Sequence, residues 1–330
     1  MDRRKFIASG TAAAGALALV GPACLSKKQD EVEARMLSTD APDVLFGISL
    51  AQWSLHRMLQ SGELSNLEFA AKARQEFDIG AIEFVSRFFD GRERETEYLS
   101  ELQQRAADAD VKMLLIMVDG QGNLGSPDTD VRRTAVENHF KWVQAAKYLG
   151  CHSIRVNAMY NDEAVEAEEQ LKLSADGLRQ LAEFADGLEI NVLVENHGAL
   201  SSNGQWLAGV MTAVDHPRCG TLPDFGNFCL DGSPYPPENC RDMYDPYTGT
   251  TELMPFAKAV SAKSYEFSEN GDESVLDYER LMRIVLDAGY RGYVGIEYEG
   301  STLPEDQGII ATRDLLLRLR QSLTPEYNRA

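Results

Sequence analysis

The 330-residue sequence contains no apolar run long enough to span a bilayer and no CxxC pair. It has little histidine, five residues in all, and little basic charge, with 32 Lys and Arg against 52 Asp and Glu. The resulting net charge of −20 repels phosphate backbones and anionic lipid, so nucleic acid is excluded as a partner. No glycine-rich phosphate cradle is evident, and no transmembrane span is expected. Five cysteines are too few for a disulfide scaffold. Apart from Cys24, the remaining Cys151, Cys219, Cys229 and Cys240 lack the spacing of a thiolate metal site, and are either unpaired or joined in one bridge. What is present, 44% hydrophobic and 25% charged residues, describes a chain able to bury a large core. Its length fits one α/β barrel of roughly 250 residues with appendages.

The first residues read as an address rather than as part of the fold. Arg3 and Arg4 precede a small, apolar run from Ala8 to Gly21, which resembles a twin-arginine export signal. The resemblance implies export of an already folded protein, with any cofactor inserted beforehand. The product is then a periplasmic protein or a lipoprotein anchored through Cys24. The expected organisation is a signal over residues 1–24, a polar linker over 25–41, the folded domain over 42–323 and a tail over 324–330. A homo-oligomer is compatible with the sequence.

Short apolar runs bounded by turn residues predict eight strands, at 44–50, 79–85, 112–118, 151–157, 190–196, 219–225, 260–267 and 293–299. Their starts lie 29 to 41 residues apart, room for one helix and two loops each time. Helical patterns fill the gaps at 66–77, 96–109, 131–149, 162–188, 205–214, 278–288 and 305–323. The sixth unit departs from this rhythm. Residues 230–251, dense in Pro, Tyr and Asp, read as a lid or binding loop before a short helix at 252–259. The fold class expected is α/β, a single (β/α)8 TIM barrel.

Parallel barrel strands are buried on both sides, so polar residues belong at their carboxyl ends, where such barrels carry their sites. Every predicted strand breaks in this way. Glu83 ends the second, Arg155 and Asn157 the fourth, Glu195 and His197 the fifth, Asp224 and Asn227 the sixth, Lys263 and Glu266 the seventh, Glu297 and Glu299 the eighth. Closing the sheet gathers them at one mouth. Three or more carboxylates in one partly desolvated cup repel and call for a cation, most simply a divalent metal.

The segments 192–198 (VLVENHG), 221–227 (TLPDFGN) and 294–300 (VGIEYEG) resemble the sugar phosphate isomerase/epimerase superfamily, the xylose isomerase-like barrels, over roughly residues 44–321. The resemblance implies one divalent metal (Mn, Mg, Co or Zn) held by Glu195, Asp224 and Glu297. Relatives often add a strand-seven histidine from an HxK segment, where this chain has Ser261-Ala262-Lys263. A water, the Ser261 hydroxyl or His197 would then supply the fourth ligand. Five histidines also weigh against the multi-metal, DNA-binding endonuclease branch of the fold.

A metal polarising a carbonyl while a carboxylate removes the neighbouring proton makes Glu195 and Glu297 the expected catalytic pair, with Lys263 steadying the oxyanion. His197, Asn227, Asn157, Arg155 and Glu83 are expected to bind substrate hydroxyls. Trp53 and Tyr265, near strand ends, offer faces for a sugar ring, with Tyr235 a further candidate. The outcome expected is isomerisation or epimerisation of a non-phosphorylated carbohydrate. β-Elimination from a 3-keto glycoside, as a lyase or hydrolase, uses the same proton abstraction and stays open, as does a non-catalytic carbohydrate-binding barrel.

Replacing Arg3 and Arg4 by Lys is expected to leave a folded protein retained in the cytoplasm, as measured by cell fractionation. Unchanged export of the double variant would overturn the localisation.

Overall fold

The computed structural model describes residues 44–158 and 165–328. The twin-arginine segment, Cys24, the polar linker and the first residues expected in the predicted 162–188 helix lie outside them. Eight strands form one parallel sheet: β1 (Gly47–Ala51), β2 (Ala81–Val85), β3 (Lys112–Met117), β4 (Ser153–Val156), β5 (Asn191–Glu195), β6 (Cys219–Leu222), β7 (Val260–Ser264) and β8 (Tyr293–Tyr298). Their order is β6-β5-β4-β3-β2-β1-β8-β7. The two edges meet through parallel bridges pairing Thr221 with Ala257 and Asp224 with Ser261. Three backbone bonds back these bridges, from Lys258 N to Thr221 O, Ser261 N to Pro223 O and Phe225 N to Ser261 O, at 2.9–3.1 Å. The barrel is thus closed by residues of its own polar mouth.

Alternation along each strand decides what points inward. Ala51, Val85, Leu115, Met117, Leu193, Leu222 and Ala259 form a small apolar cluster separate from the main core. Stepping two residues from its members reaches Ser49, Glu83, Glu195, Asp224 and Ser261 in turn, and then Lys263. The same parity that fills the barrel with apolar side chains delivers charged ones to its top. The opposite parity, with Ile48, Leu50, Ile82, Ile116, Ile154, Val192, Val194, Val294 and Ile296, packs into the main core. Helices there show the expected stripe: Tyr278–Asp287 buries Tyr278, Leu281, Met282, Val285 and Leu286. Their starts are fixed by side-chain caps, Asp128 on Val131 N, Asn203 on Trp206 N and Asp277 on Arg280 N.

Three segments differ from expectation. The excursion after β6 is not irregular throughout. Cys229–Gly232 and Cys240–Met243 pair as an antiparallel hairpin, closed by a Cys229–Cys240 disulfide with Cα atoms 5.8 Å apart, while Cys151 and Cys219 are free. The short helix expected at 252–259 runs instead from Pro246 to Leu253 and is followed by a 3-10 turn, Met254–Phe256. Asp245 starts it early by capping Thr248 N at 2.7 Å, with Pro246 at the first helical position. The last helix, Glu305–Tyr327, continues past 323. Residues 324–327 belong to it rather than to a tail, and Tyr327 Oη anchors the end to Asp287 at 2.7 Å. Among the described residues no helix is long and apolar enough to cross a membrane.

Glu83 shows what the interior costs. It is 1% exposed, takes a 2.6 Å bond from Ser49 Oγ and leaves its other oxygen without a partner. Room for it comes from Gly295 on β8, where a Cβ would sit 2.6 Å from the carboxylate. Burial first, then the charges of Glu297 and Glu195, push its carboxyl up to about 7. The fold therefore holds this proton more tightly than the unfolded chain does. Stability from the neutral form is complete below the unfolded value near 4.5 and is lost as pH rises through about 7, on the order of 3 kcal/mol in all. Glu83→Gln, permanently neutral, is expected to raise the melting temperature over wild type markedly more at pH 8 than at pH 5. An equal effect at both values would show that Glu83 is ionised throughout.

Candidate active site

Glu195 ends β5, and its two oxygens are claimed by neighbours from adjacent strands. Asn227 Nδ2 donates to Oε1 at 2.8 Å, and Arg155 Nε from β4 pairs with Oε2 at 2.7 Å. Asp224, just beyond β6, accepts at Oδ1 from the backbone of Gly226 and Asn227 at 2.9 and 2.8 Å. Its Oδ2 accepts from Ser261 Oγ at 2.6 Å. Glu297 on β8 accepts at Oε1 from Lys263 Nζ at 2.8 Å and at Oε2 from the same Ser261 hydroxyl at 3.1 Å. All three carboxylates are buried, and one oxygen from each lies within 4.8 Å of the others.

Asn196 staples the site to the barrel seam. Its Nδ2 donates to the carbonyls of Asp224 and Asn227, and its Oδ1 accepts from Asp224 N at 2.8 Å. A short amide between two carboxylate-bearing strands satisfies backbone groups that the end of β6 leaves unpaired. The sequence places Asn196 at the mouth between Glu195 and His197 but assigns it no role; its side chain lies on the opposite parity from the glutamate.

Two fixed cations offset the acids. Lys263, 1% exposed, lies 2.8 Å from Glu297, 3.3 Å from Glu299 and 3.8 Å from Asp224. Glu266 bonds Tyr235 and Thr302. Arg155 bridges Glu195 to Asp119, the latter at 2.7 Å. Burial pushes the carboxyls of Glu195 and Asp224 up, against the opposing pull of Arg155 on the first and of Lys263 on the second. Glu297 is buried as deeply, yet the ammonium of Lys263 pulls its carboxyl below the ordinary value. Asp119 is opposed by burial but drawn down to about 2 by Arg155.

The expected substrate residues divide. His197, Asn227 and Tyr265 line a cavity of about 270 Å³ together with Tyr235 and Glu299. The chain of His197 is held there by a bond from its backbone N to Ser201 Oγ. Arg155 is spent on Glu195 and Asp119, so it orients a carboxylate, and Asn157 donates to Asp119 at 2.8 Å. Trp53 does not line the cavity. One of its faces is stacked on His56, centroids 4.7 Å apart, and the Arg87 guanidinium lies 5.7 Å from its ring centre. Glu83 is likewise outside the cavity lining, against Ser49 and Gly295.

The three carboxylates suit a divalent ion. One oxygen from each lies within 4.8 Å of the others, a grouping of hard oxygen donors of the kind such an ion takes as ligands. Ser261 Oγ already touches two of them, which makes its hydroxyl a further oxygen at the cluster. An all-oxygen set fits Mg or Mn better than Zn.

Comparison with known proteins agrees with this architecture. A family model described as xylose isomerase-like TIM barrel matches residues 71–319. Among solved structures, an L-ribulose 3-epimerase superposes with a TM-score of 0.63 at 14% identity, covering 84% of this chain and 96% of that one. The apo form of a 3-keto-D-glucoside 4-epimerase from E. coli gives 0.56 at 14% identity, covering 84% and 99%. Two curated relatives match over short stretches. The alpha subunit of a C-glycoside deglycosidase from Arthrobacter globiformis is 43% identical over 49 residues, 15% of this chain and 14% of the relative. The alpha subunit of a 3'-dehydrocarminate deglycosidase from a Microbacterium species is 35% identical over 69 residues, 20% of each. The chain thus matches a fifth or less of the length of these curated relatives. With eight parallel strands, a carboxylate mouth and a family match over most of its length, the chain belongs to the xylose isomerase-like TIM barrel family.

Proposed function

We propose that the protein is an exported, divalent-metal-dependent sugar isomerase or epimerase, working by proton abstraction next to a carbonyl on a non-phosphorylated carbohydrate. The observation that carries the reading is the convergence of Glu195, Asp224 and Glu297 within 4.8 Å, with Lys263 2.8 Å from Glu297. Export rests on Arg3, Arg4 and the apolar run behind them.

Glu195, Asp224 and Glu297 would hold the ion, with Ser261 beside them. When bound, the ion supplies Lewis acidity that lowers the pKa of the carbon adjacent to a carbonyl. The chain supplies the rest. Arg155 and Asn227 fix the rotamer of Glu195, so its carboxylate meets the substrate in one orientation. Lys263 plays the corresponding part for Glu297. Its ammonium, buried on a rigid strand, also favours negative charge developing on a substrate oxygen nearby. Carboxylates from β5 and β8 reach the reacting carbon from two directions. One removes the proton and the other returns it to the opposite face, which is epimerisation. The cavity lined by His197, Asn227 and Tyr265 admits the sugar, and the acids around it disfavour a phosphate.

A second outcome is supported by the short matches to the deglycosidase alpha subunits. The same carbanion, formed on a 3-keto glycoside, expels the β-substituent instead of being reprotonated. Product analysis separates the two, because elimination releases a free aglycone.

Exchange in deuterated water tests the common step. Wild-type protein incubated with methyl 3-keto-β-glucoside, or with D-fructose, is expected to carry deuterium into the carbon next to the carbonyl, read by mass spectrometry. Glu195→Gln should abolish the exchange and lower the bound metal measured by plasma mass spectrometry. Lys263→Met should slow exchange on the order of a hundredfold while metal is retained. Wild-type exchange rates in Glu195→Gln would assign the base elsewhere, and a wild type that exchanges no label would leave only the binding role.

A further inference from the structure

Tyr265 follows β7 and is 1% exposed. One face of its ring is covered by Tyr235, with centroids 4.5 Å apart and planes 6° from parallel. Tyr235 is itself fixed on the disulfide-closed hairpin side of the cavity. Its Oη donates to Glu266, and its carbonyl accepts from Ser233 Oγ at 2.9 Å. A sugar ring has no access to that face of Tyr265.

The phenolic oxygen presents the opposite picture. It is buried and has no hydrogen-bond partner, an exception among buried polar groups that calls for an explanation. Its position is also cleared for it. At Gly226, in the turn after Asp224, a Cβ would fall 2.4 Å from Tyr265 Oη and 2.6 Å from Lys263 Cγ. The turn therefore yields its side chain so that the phenol can stand against the Asp224–Lys263 side of the site. The ring lines the same cavity as His197 and Asn227. Burial, opposed by Lys263 and reinforced by Asp224, Glu299 and Glu297, keeps the phenol protonated. A protonated donor, placed where carboxylates already supply acceptors, complements an oxygen brought by the ligand.

We propose that Tyr265 recognises the substrate through its hydroxyl and not through its ring face, donating a hydrogen bond to a neutral carbonyl or hydroxyl oxygen of the sugar beside the carboxylate cluster, with Tyr235 as the backing that fixes its angle. The proposal rests on the enzymatic reading above and adds a specificity determinant to it. A buried donor built for an oxygen rejects analogues that lack it, because the donor is then left unpaired.

Tyr265→Phe in the full chain keeps the ring and its stack on Tyr235 and removes only the oxygen. The melting temperature is expected to stay level or rise, since a hydroxyl without a partner adds nothing to the fold. With the two probes above, kcat/KM for deuterium exchange is expected to fall about ten- to hundredfold, the loss of one hydrogen bond to substrate. A fall of several degrees in melting temperature would assign the hydroxyl to the fold and overturn the proposal. Exchange at the wild-type rate in Tyr265→Phe would overturn it as well, while leaving the enzymatic reading intact. Failure of the wild type to exchange either probe is the distinct result that removes the enzymatic reading, and this proposal with it.

Discussion

Mutual repulsion of three buried carboxylates is the constraint around which this structure is arranged. Glu195, Asp224 and Glu297 sit within 4.8 Å of one another out of water, a grouping that is costly unless each charge is paired or shares a cation. The surrounding side chains address that cost one oxygen at a time. Arg155 and Asn227 take Glu195, the turn amides and Ser261 take Asp224, and Lys263 takes Glu297. Burial raises the carboxyls of Asp224 and Glu195 all the same.

Barrel closure and site formation are one event. The seam between β6 and β7 is bridged at Asp224 and Ser261, which are joined again through their side chains at 2.6 Å. Asn196 ties β5 to the same turn. A change that loosens the seam therefore moves a carboxylate, and a change at the carboxylates loosens the seam. Above the seam, the hairpin at 229–243 adds the Tyr235 wall of the cavity.

Interior space is shared just as tightly. Gly295 leaves room for Glu83 and Gly226 for Tyr265, so two glycines in the motifs of β8 and the β6 turn are there for neighbours on other strands. Neither pairing follows from local propensity. Each depends on which strand lies next to which, and at what height.

The sequence by itself determined the eight βα units, the strand order of a closed barrel, and the polar residues that end each strand, because a doubly buried strand admits charge only near its carboxyl end. Strand periodicity and the three motif segments thereby brought Glu195, Asp224, Glu297 and Lys263 together in advance. Tertiary structure alone decided how those charges pair. Lys263 pairs with Glu297 and Glu299, and Arg155 was taken up by Glu195 and Asp119 rather than left for a substrate. It also decided that Trp53 lies off the cavity lining, that Cys229 and Cys240 are the bonded pair, and that one face of Tyr265 is covered by Tyr235. The reason is common to all of these. Periodicity fixes the side of a strand on which a residue lies, whereas partners across the barrel are set by register and closure, which join residues tens of positions apart.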